Sequence, residues 1–194
     1  MDQHKEYRIR IEQDDPIESP RDWDNLGTMV CWHRRYNLGD IQPAEPPDQY
    51  FAKIRSDIIS LPLFLYDHSG ITMNTTGFSC PWDSGQVGWI YITKEKARAE
   101  YGWKRITAER EQQIIDALKA EVAVYAQYLE GDVHGFILES RPAQAFDADG
   151  NPLDVEIEWE EEDSCWGFYG SDPFENGMAD YIDEKHHELL KEAA

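Results

Sequence analysis

Apolar and polar residues alternate from Tyr7 to Gln13, with Tyr7, Ile9 and Ile11 on one side and Arg8, Arg10 and Glu12 on the other. That order predicts a half-buried strand. A proline- and acid-rich loop follows, and the apolar run from Thr28 to Trp32 predicts a second strand. Phe51, Ile54, Ile58 and Ile59 recur at roughly helical spacing, predicting a helix over 49–60 with a buried strand over 61–66 behind it. Between Ile71 and Thr93, glycines punctuate β-branched and aromatic residues, which predicts a pair of antiparallel strands. Thr93 is placed to cap a short helix ended by Gly102, and Thr107 to cap a longer one. In the longer one Ile114, Ile115, Leu118, Val122, Tyr125 and Leu129 form a single apolar stripe. Strand-like runs over 135–140 and 153–159 bracket a turn-rich segment, 164–169 reads as one more strand, and Met178, Ile182, Leu189 and Leu190 predict a terminal helix. Together these elements predict an α+β fold: a mostly antiparallel sheet covered on one face by helices, in a single domain over 1–194.

Composition agrees with a packed core. Of the 194 residues 41% are apolar, including seven Trp, ten Tyr and seven Phe, which excludes global disorder and a fibrous chain. Charge changes the picture more. Lys and Arg number 18 against 39 Asp and Glu, a net charge of −21. Phosphate backbones and anionic lipids are repelled by such a chain, so direct binding to duplex DNA and to a membrane surface is not expected. No stretch has signal-peptide or membrane-spanning length, and the expected location is the cytoplasm of the host cell. Three widely spaced cysteines do not make a disulfide framework and are expected to be reduced.

The reactive residue types are His33, Asp67, His68, Cys80 and Asp83, together with Cys31 and Cys165. Structural zinc sites pair ligands two to four residues apart, and only Cys31 and His33 satisfy that spacing, so neither a metal nor any other cofactor is expected. Each cysteine lies beside or near a tryptophan, the pattern of small side chains buried in an aromatic core. A Cys–His nucleophile would need a histidine within hydrogen-bond reach, and no family signature surrounds any of the three. Asp24, Asp67 and Asp83 lie in polar loops that could converge on a hard cation. The DADGN run at Asp147 resembles the start of a calcium loop, but its twelfth position, Glu158, falls in an expected strand, so a hairpin turn explains it more simply. Gly85 and Gly88 lack a P-loop lysine and read as strand glycines at a bulge or close approach. A small metal- or Cys/His-dependent hydrolase built on His33, Asp67, His68, Cys80 and Asp83 is therefore the alternative function.

The acids carry more information. From about residue 141 onward 16 acidic residues stand against three basic ones. Alternation over 155–160 predicts Val155, Ile157 and Trp159 in the core, with Glu156, Glu158 and Glu160 in an outer row that Glu161 and Glu162 extend. Strand geometry would space such a row at about 6.6 Å. Adjacent phosphates along one nucleic-acid strand lie a comparable distance apart, so the row could imitate a phosphate backbone. The plainer reading is a solvated face that keeps the protein in solution.

Four blocks are long and distinctive: DNLGTMVCWHRRYNLGD from Asp24, LYDHSGITMNT from Leu65 leading to SCPWDSGQVGWIYIT from Ser79, YLEGDVHG from Tyr128, and DSCWGFYG from Asp163. Through them the chain resembles an uncharacterised family of hypothetical proteins encoded by phages and integrated mobile elements. The resemblance implies no catalytic residues. It implies a context, in which small acidic proteins act on host machinery, including defence nucleases. The leading expectation is a non-enzymatic inhibitor of the anti-CRISPR or antirestriction type, whose partner is a host protein with a basic nucleic-acid-binding groove. A phage accessory protein with interaction roles alone is a further alternative.

Overall fold

In a computed structural model, which describes residues 4–15, 18–54 and 57–194, the α+β expectation is met by two compact units. The central unit is Ile17–Glu130, and the terminal unit joins Met1–Pro16 to Gly131–Ala194. In chain order the elements are β1 (Lys5–Gln13), β2 (Thr28–Cys31), α1 (Pro47–Lys53), β3 (Ile58–Asp67), β4 (Ile71–Asn74), β5 (Ser84–Thr93), α2 (Lys94–Glu100), α3 (Ala108–Glu130), β6 (Val133–Pro142), β7 (Ala145–Phe146), β8 (Pro152–Leu153), β9 (Glu160–Tyr169) and α4 (His187–Ala193). Instead of one sheet, the described residues form a four-stranded, a three-stranded and a two-stranded sheet, all antiparallel. Among the described residues no helix is long and apolar enough to cross a membrane.

In the central unit the strand order is β2-β5-β3-β4. One face of this sheet buries Met29, Ile59, Leu63, Leu65, Met73, Ile90 and Ile92 against Ile114, Leu118, Val122 and Tyr125 of α3. The apolar stripe read from the sequence is thus the packed face of α3, and the Thr107 hydroxyl accepts from the Arg110 N–H at 3.3 Å, as a cap does. On the opposite face Trp32, Tyr50, Phe51, Trp89 and Tyr91 meet mostly edge to face, with centroids 5.4–6.4 Å apart. Gly88 is needed at its strand position, because a Cβ there would stand 2.1 Å from the Val30 carbonyl oxygen. A bulge adjoins it: Leu63 pairs with Gly88 and Phe64 with Gln86, leaving Val87 as the extra residue.

Two expectations for this unit need correction. The helix predicted over 49–60 is helical only over Pro47–Lys53, while Ile58 and Ile59 already belong to β3, Ile59 pairing with Ile92. Residues 55–56 of that stretch lie outside the described residues. Two adjacent β-branched residues leading into an apolar run suit a ladder better than a helix. The strands between Ile71 and Thr93 form, but β4 and β5 each pair with β3 rather than with one another.

The terminal unit's main sheet runs β1-β6-β9. Its inner face packs Ile9, Phe136 and Phe168 against Met178, Ala179, Ile182 and Leu190. The last of these come from two 3-10 turns, Met178–Tyr181 and Glu184–His186, followed by α4, in place of one continuous helix. Gly177 at φ 86° opens the first turn, and the Asp183 carboxylate accepts from the Lys185 N–H at the second.

The strand predicted over 153–159 is not there. Only Pro152–Leu153 is paired, in a short hairpin with Ala145–Phe146, and residues 154–159 join no ladder. Val155, expected in the core, is 56% exposed, while Ile157 and Trp159 are half-buried. Trp159 explains the departure. Its ring lies between the Arg8 and Arg141 guanidiniums, each 4.4 Å from the centroid, on the polar outer face of the β1–β6 pair. Two cation–π contacts thus draw the segment over the sheet instead of along its edge. The DADGN turn is a hairpin tip as expected: the Asp147 carboxylate accepts from the N–H groups of Asp149 and Asn151 and from the Asn151 side chain at 2.8–3.0 Å.

Candidate functional site

The central unit brings the expected catalytic types together where β3 ends. Asp67 is the last residue of that strand and His68 follows it, while His33 comes from the loop after β2, and Cys80 and Asp83 from the loop before β5. A bond from the Asp67 N–H to the Asp83 carbonyl, 2.8 Å, ties two of these segments. Around Asp67, the Tyr36 hydroxyl donates to Oδ1 and Arg35 Nη1 pairs with Oδ2, both at 3.3 Å. His33 stacks on Tyr36 with centroids 5.1 Å apart, and its Nδ1 accepts from the N–H groups of Arg35 (3.4 Å) and Tyr36 (3.2 Å). Around Asp83, one carboxylate oxygen meets His68 Nδ1 at 3.3 Å and accepts from the Cys80 thiol at 3.5 Å.

That arrangement gathers the residues without a hydrogen bond between thiol and imidazole among the described residues. Cys80 meets a carboxylate, with His68 on that same carboxylate oxygen, whereas a Cys–His pair is activated by direct contact. Among the described residues no group of three or more His, Cys, Asp or Glu is arranged to hold a metal ion. Asp24 lies apart from Asp67 and Asp83, beside a small cavity with Asn25, Leu26, Glu100 and Tyr101. All three cysteines are free thiols, but only Cys31 is fully buried, and burial pushes its thiol up to about 12, so it is inert. Cys80 and Cys165 are half-buried: Cys165 packs against the core that holds Phe136 and Phe168, whereas Cys80 lies in a loop beside Asp83, which corrects its expected place in an aromatic core. Trp82, the tryptophan near Cys80 that the sequence placed in that core, is instead 91% exposed.

In the terminal unit the acids run from the segment drawn over the sheet onto its edge strand. Glu156 and Glu158 flank half-buried Ile157, and Glu160, Glu161 and Asp163 continue the exposed series onto β9, the outermost strand of its sheet. Glu156, Glu158 and Glu160 have no ion pair or hydrogen bond among the described residues. Glu161 accepts from the Ser164 hydroxyl at 2.7 Å. Glu162 differs: Lys5 Nζ and the Ser140 hydroxyl both meet its Oε1 at 2.5 Å, and the Lys5 hydrogen bond holds its carboxyl below the usual range. It anchors the edge to β1 and β6 and is the least available of the five expected contact residues.

Behind the acids lies a cationic layer on the outer face of the same sheet. Glu139, only 8% exposed, accepts from Arg8 Nε at 2.6 Å and Arg10 Nε at 3.1 Å, and Arg141 pairs with Glu6 at 2.8 Å. Alternation along β1 placed Arg8 and Arg10 outward, but their partner Glu139 is 129 or more positions away in the chain, and no local pattern points to it. Comparison of the chain with protein-family models, with curated proteins and with solved structures finds no match.

Proposed function

We propose that this chain is a non-enzymatic binding protein that inhibits a host nucleic-acid-handling defence system of the anti-CRISPR or antirestriction type. The observation that carries the reading is the run of solvent-facing carboxylates from Glu156 to Asp163, leading onto the edge strand of the terminal unit's sheet, in which the side chains of Glu156, Glu158 and Glu160 make no ion pair or hydrogen bond among the described residues. Such carboxylates are available to a partner. A basic groove evolved for a phosphate backbone is the surface such an edge complements, and its attraction raises the association rate and lends specificity. The resemblance to proteins of phages and mobile elements supplies the biological setting. Against a hydrolase, Asp67 and Asp83 are engaged by Arg35, Tyr36, His68 and Cys80, and among the described residues no imidazole is hydrogen-bonded to a thiol.

The test uses purified CRISPR effectors and restriction nucleases, with DNA cleavage as readout. Cleavage by at least one of them should be lost on adding the protein and restored at high salt. The E156Q/E158Q/E160Q variant should keep the fold and inhibit with a slower association rate and a flatter salt dependence. Trp159→Ala should lose about 1 to 2 kcal/mol, the scale of two partly exposed cation–π contacts, with weaker inhibition as residues 154–159 detach. Uninhibited cleavage across the panel, or a triple variant that inhibits like the parent at low and high salt, overturns the proposal.

A further inference from the structure

A broad open cavity of about 870 Å³ lies within the terminal unit, between the start of β1 and the turn that leads into α4. Its lining includes His4, Lys5, Tyr7, Lys185, His186 and Leu189. His186 is only 6% exposed, and its ring makes no hydrogen bond among the described residues, yet no buried side-chain nitrogen is left unsatisfied, so its ring nitrogens reach solvent. Its ring rests on Tyr7, with centroids 4.6 Å apart. The nitrogens belong to a wall of an open cavity, where a ligand can take the place of solvent.

We propose that this cavity is a binding site for a small organic anion, a carboxylate or phosphate carried on an apolar body. His186 supplies the hydrogen bond at the floor, Lys5 and Lys185 the positive charge at the rim, and Tyr7 and Leu189 the apolar contact. Burial, with Lys185 adding, holds the His186 imidazole below its usual value, so at neutral pH the ring is uncharged and keeps one N–H to donate. Both ammoniums are already in contact with carboxylates, Lys5 with Glu162 at 2.5 Å and Lys185 with Asp183 at 3.0 Å. An incoming anion therefore shares them. Glu188, the acid of the lining, is drawn off by Lys191 at 2.6 Å. Such shared charge predicts modest affinity, with Kd of about 1 mM. The cavity is separate from the acidic edge in its lining residues and does not depend on the function proposed above.

The experiment is a titration of the full chain, followed by the ring NMR resonances of its histidines, at constant ionic strength. Phenyl phosphate, butyrate and inorganic phosphate are the probes. Saturable shifts are expected at His186 with phenyl phosphate or butyrate, while His134, held by Asp132 at 2.9 Å outside the cavity, stays in place. Inorganic phosphate should bind more weakly, because it leaves Tyr7 and Leu189 uncovered. The two organic probes tell a phosphate ligand from a carboxylate one. Lys185→Met and His186→Gln, each with unchanged thermal unfolding, should weaken binding at least tenfold. Absence of a saturable shift at His186, equal shifts at all histidines, or shifts that Lys185→Met leaves unaltered overturn the site.

Discussion

The two units carry their charge in opposite ways. The terminal unit has 23 acidic residues against six basic ones, a net −17, and the central unit has 16 against 12, a net −4. In the central unit charge is turned inward: Arg21, with its side chain 4% exposed, donates to Asp40 at 2.7 and 2.8 Å, to Glu121 at 2.9 Å and to the Gly27 carbonyl at 2.9 Å. Those carboxylates in turn accept from the N–H groups of Met29, Leu26 and Gly27, so the network satisfies backbone that would otherwise be buried unpaired. In the terminal unit most carboxylates stay in water, and self-repulsion is left uncompensated. Charge that stabilises a fold is paired and enclosed. Charge left unpaired along one edge adds nothing to the fold, and that contrast is why the proposed interaction is assigned to the terminal unit.

Breaking the central network should give the largest effect. Arg21→Met keeps the bulk of the side chain but strands Asp40 and Glu121 without a cation, and removing one member of a buried ion network costs about 3 to 5 kcal/mol. Urea unfolding should show that loss, and hydrogen exchange resolved by peptide should place it over 17–130. A loss under about 1 kcal/mol, the range of exposed pairs, would mean that the network is solvated and the contrast between the units false.

Two glycines sharpen the comparison at smaller cost. At Gly88 an added methyl meets the backbone of β2, which can yield only if β2 and β5 part. At Gly135 it meets the ring of Trp166, 2.2 Å from the nearest carbon, on a side chain exposed enough to swing aside, and the Cys165 carbonyl oxygen at 2.9 Å, which must give a little. Gly88→Ala should therefore cost about 2 to 3 kcal/mol and Gly135→Ala about 1 to 2 kcal/mol. Thermal unfolding of the pair decides it, and equal losses would show that Trp166 is fixed as firmly as a strand backbone.

What could be read beforehand divides along local and distant lines. The stripe of α3, the alternation of β1, the Thr93 and Thr107 caps and the turn at Asp147 each depend on neighbours within a few positions, and each appears as read. Ile58 and Ile59 were misassigned because helical spacing and a β-branched pair conflict over so short a stretch. Val155 and Trp159 were misassigned because alternation predicts a strand only where an edge is free to accept it, and the Arg8 and Arg141 ring contacts are set by distant chain. At the candidate sites, residue type singled out His68, Cys80 and Asp83 but not their meeting at one carboxylate oxygen. Their mutual contacts, and the Glu139 pairings, belong to tertiary structure alone. Local patterns, which suggest a single domain, also do not show the two units, since one of them is assembled from both ends of the chain.

The smallest effect expected is a pH response that separates the units. Among the described residues, the carboxylates held below their usual range are Glu139, Asp147, Glu162, Asp183 and Glu188 in the terminal unit and Glu45 in the central one. For Glu139 the cause is first the Arg8 hydrogen bond, opposed by burial and reinforced by Arg10. A carboxyl group whose folded value lies below its unfolded one, about 4.3 for Glu, contributes stability above that pH and loses it as pH falls through the folded value. Protection of terminal-unit amides should therefore decline below about pH 4.3, ahead of the central unit. Glu139→Gln removes one source of that slope, leaves Arg8 and Arg10 to water through their exposed sides, and should cost about 1 kcal/mol at neutral pH. Measured as peptide-resolved exchange from pH 7 downward, the variant should lose less stability on acidification than the parent. An identical slope in the two proteins would place the acid response elsewhere, and a central unit that loosens first would reverse the comparison.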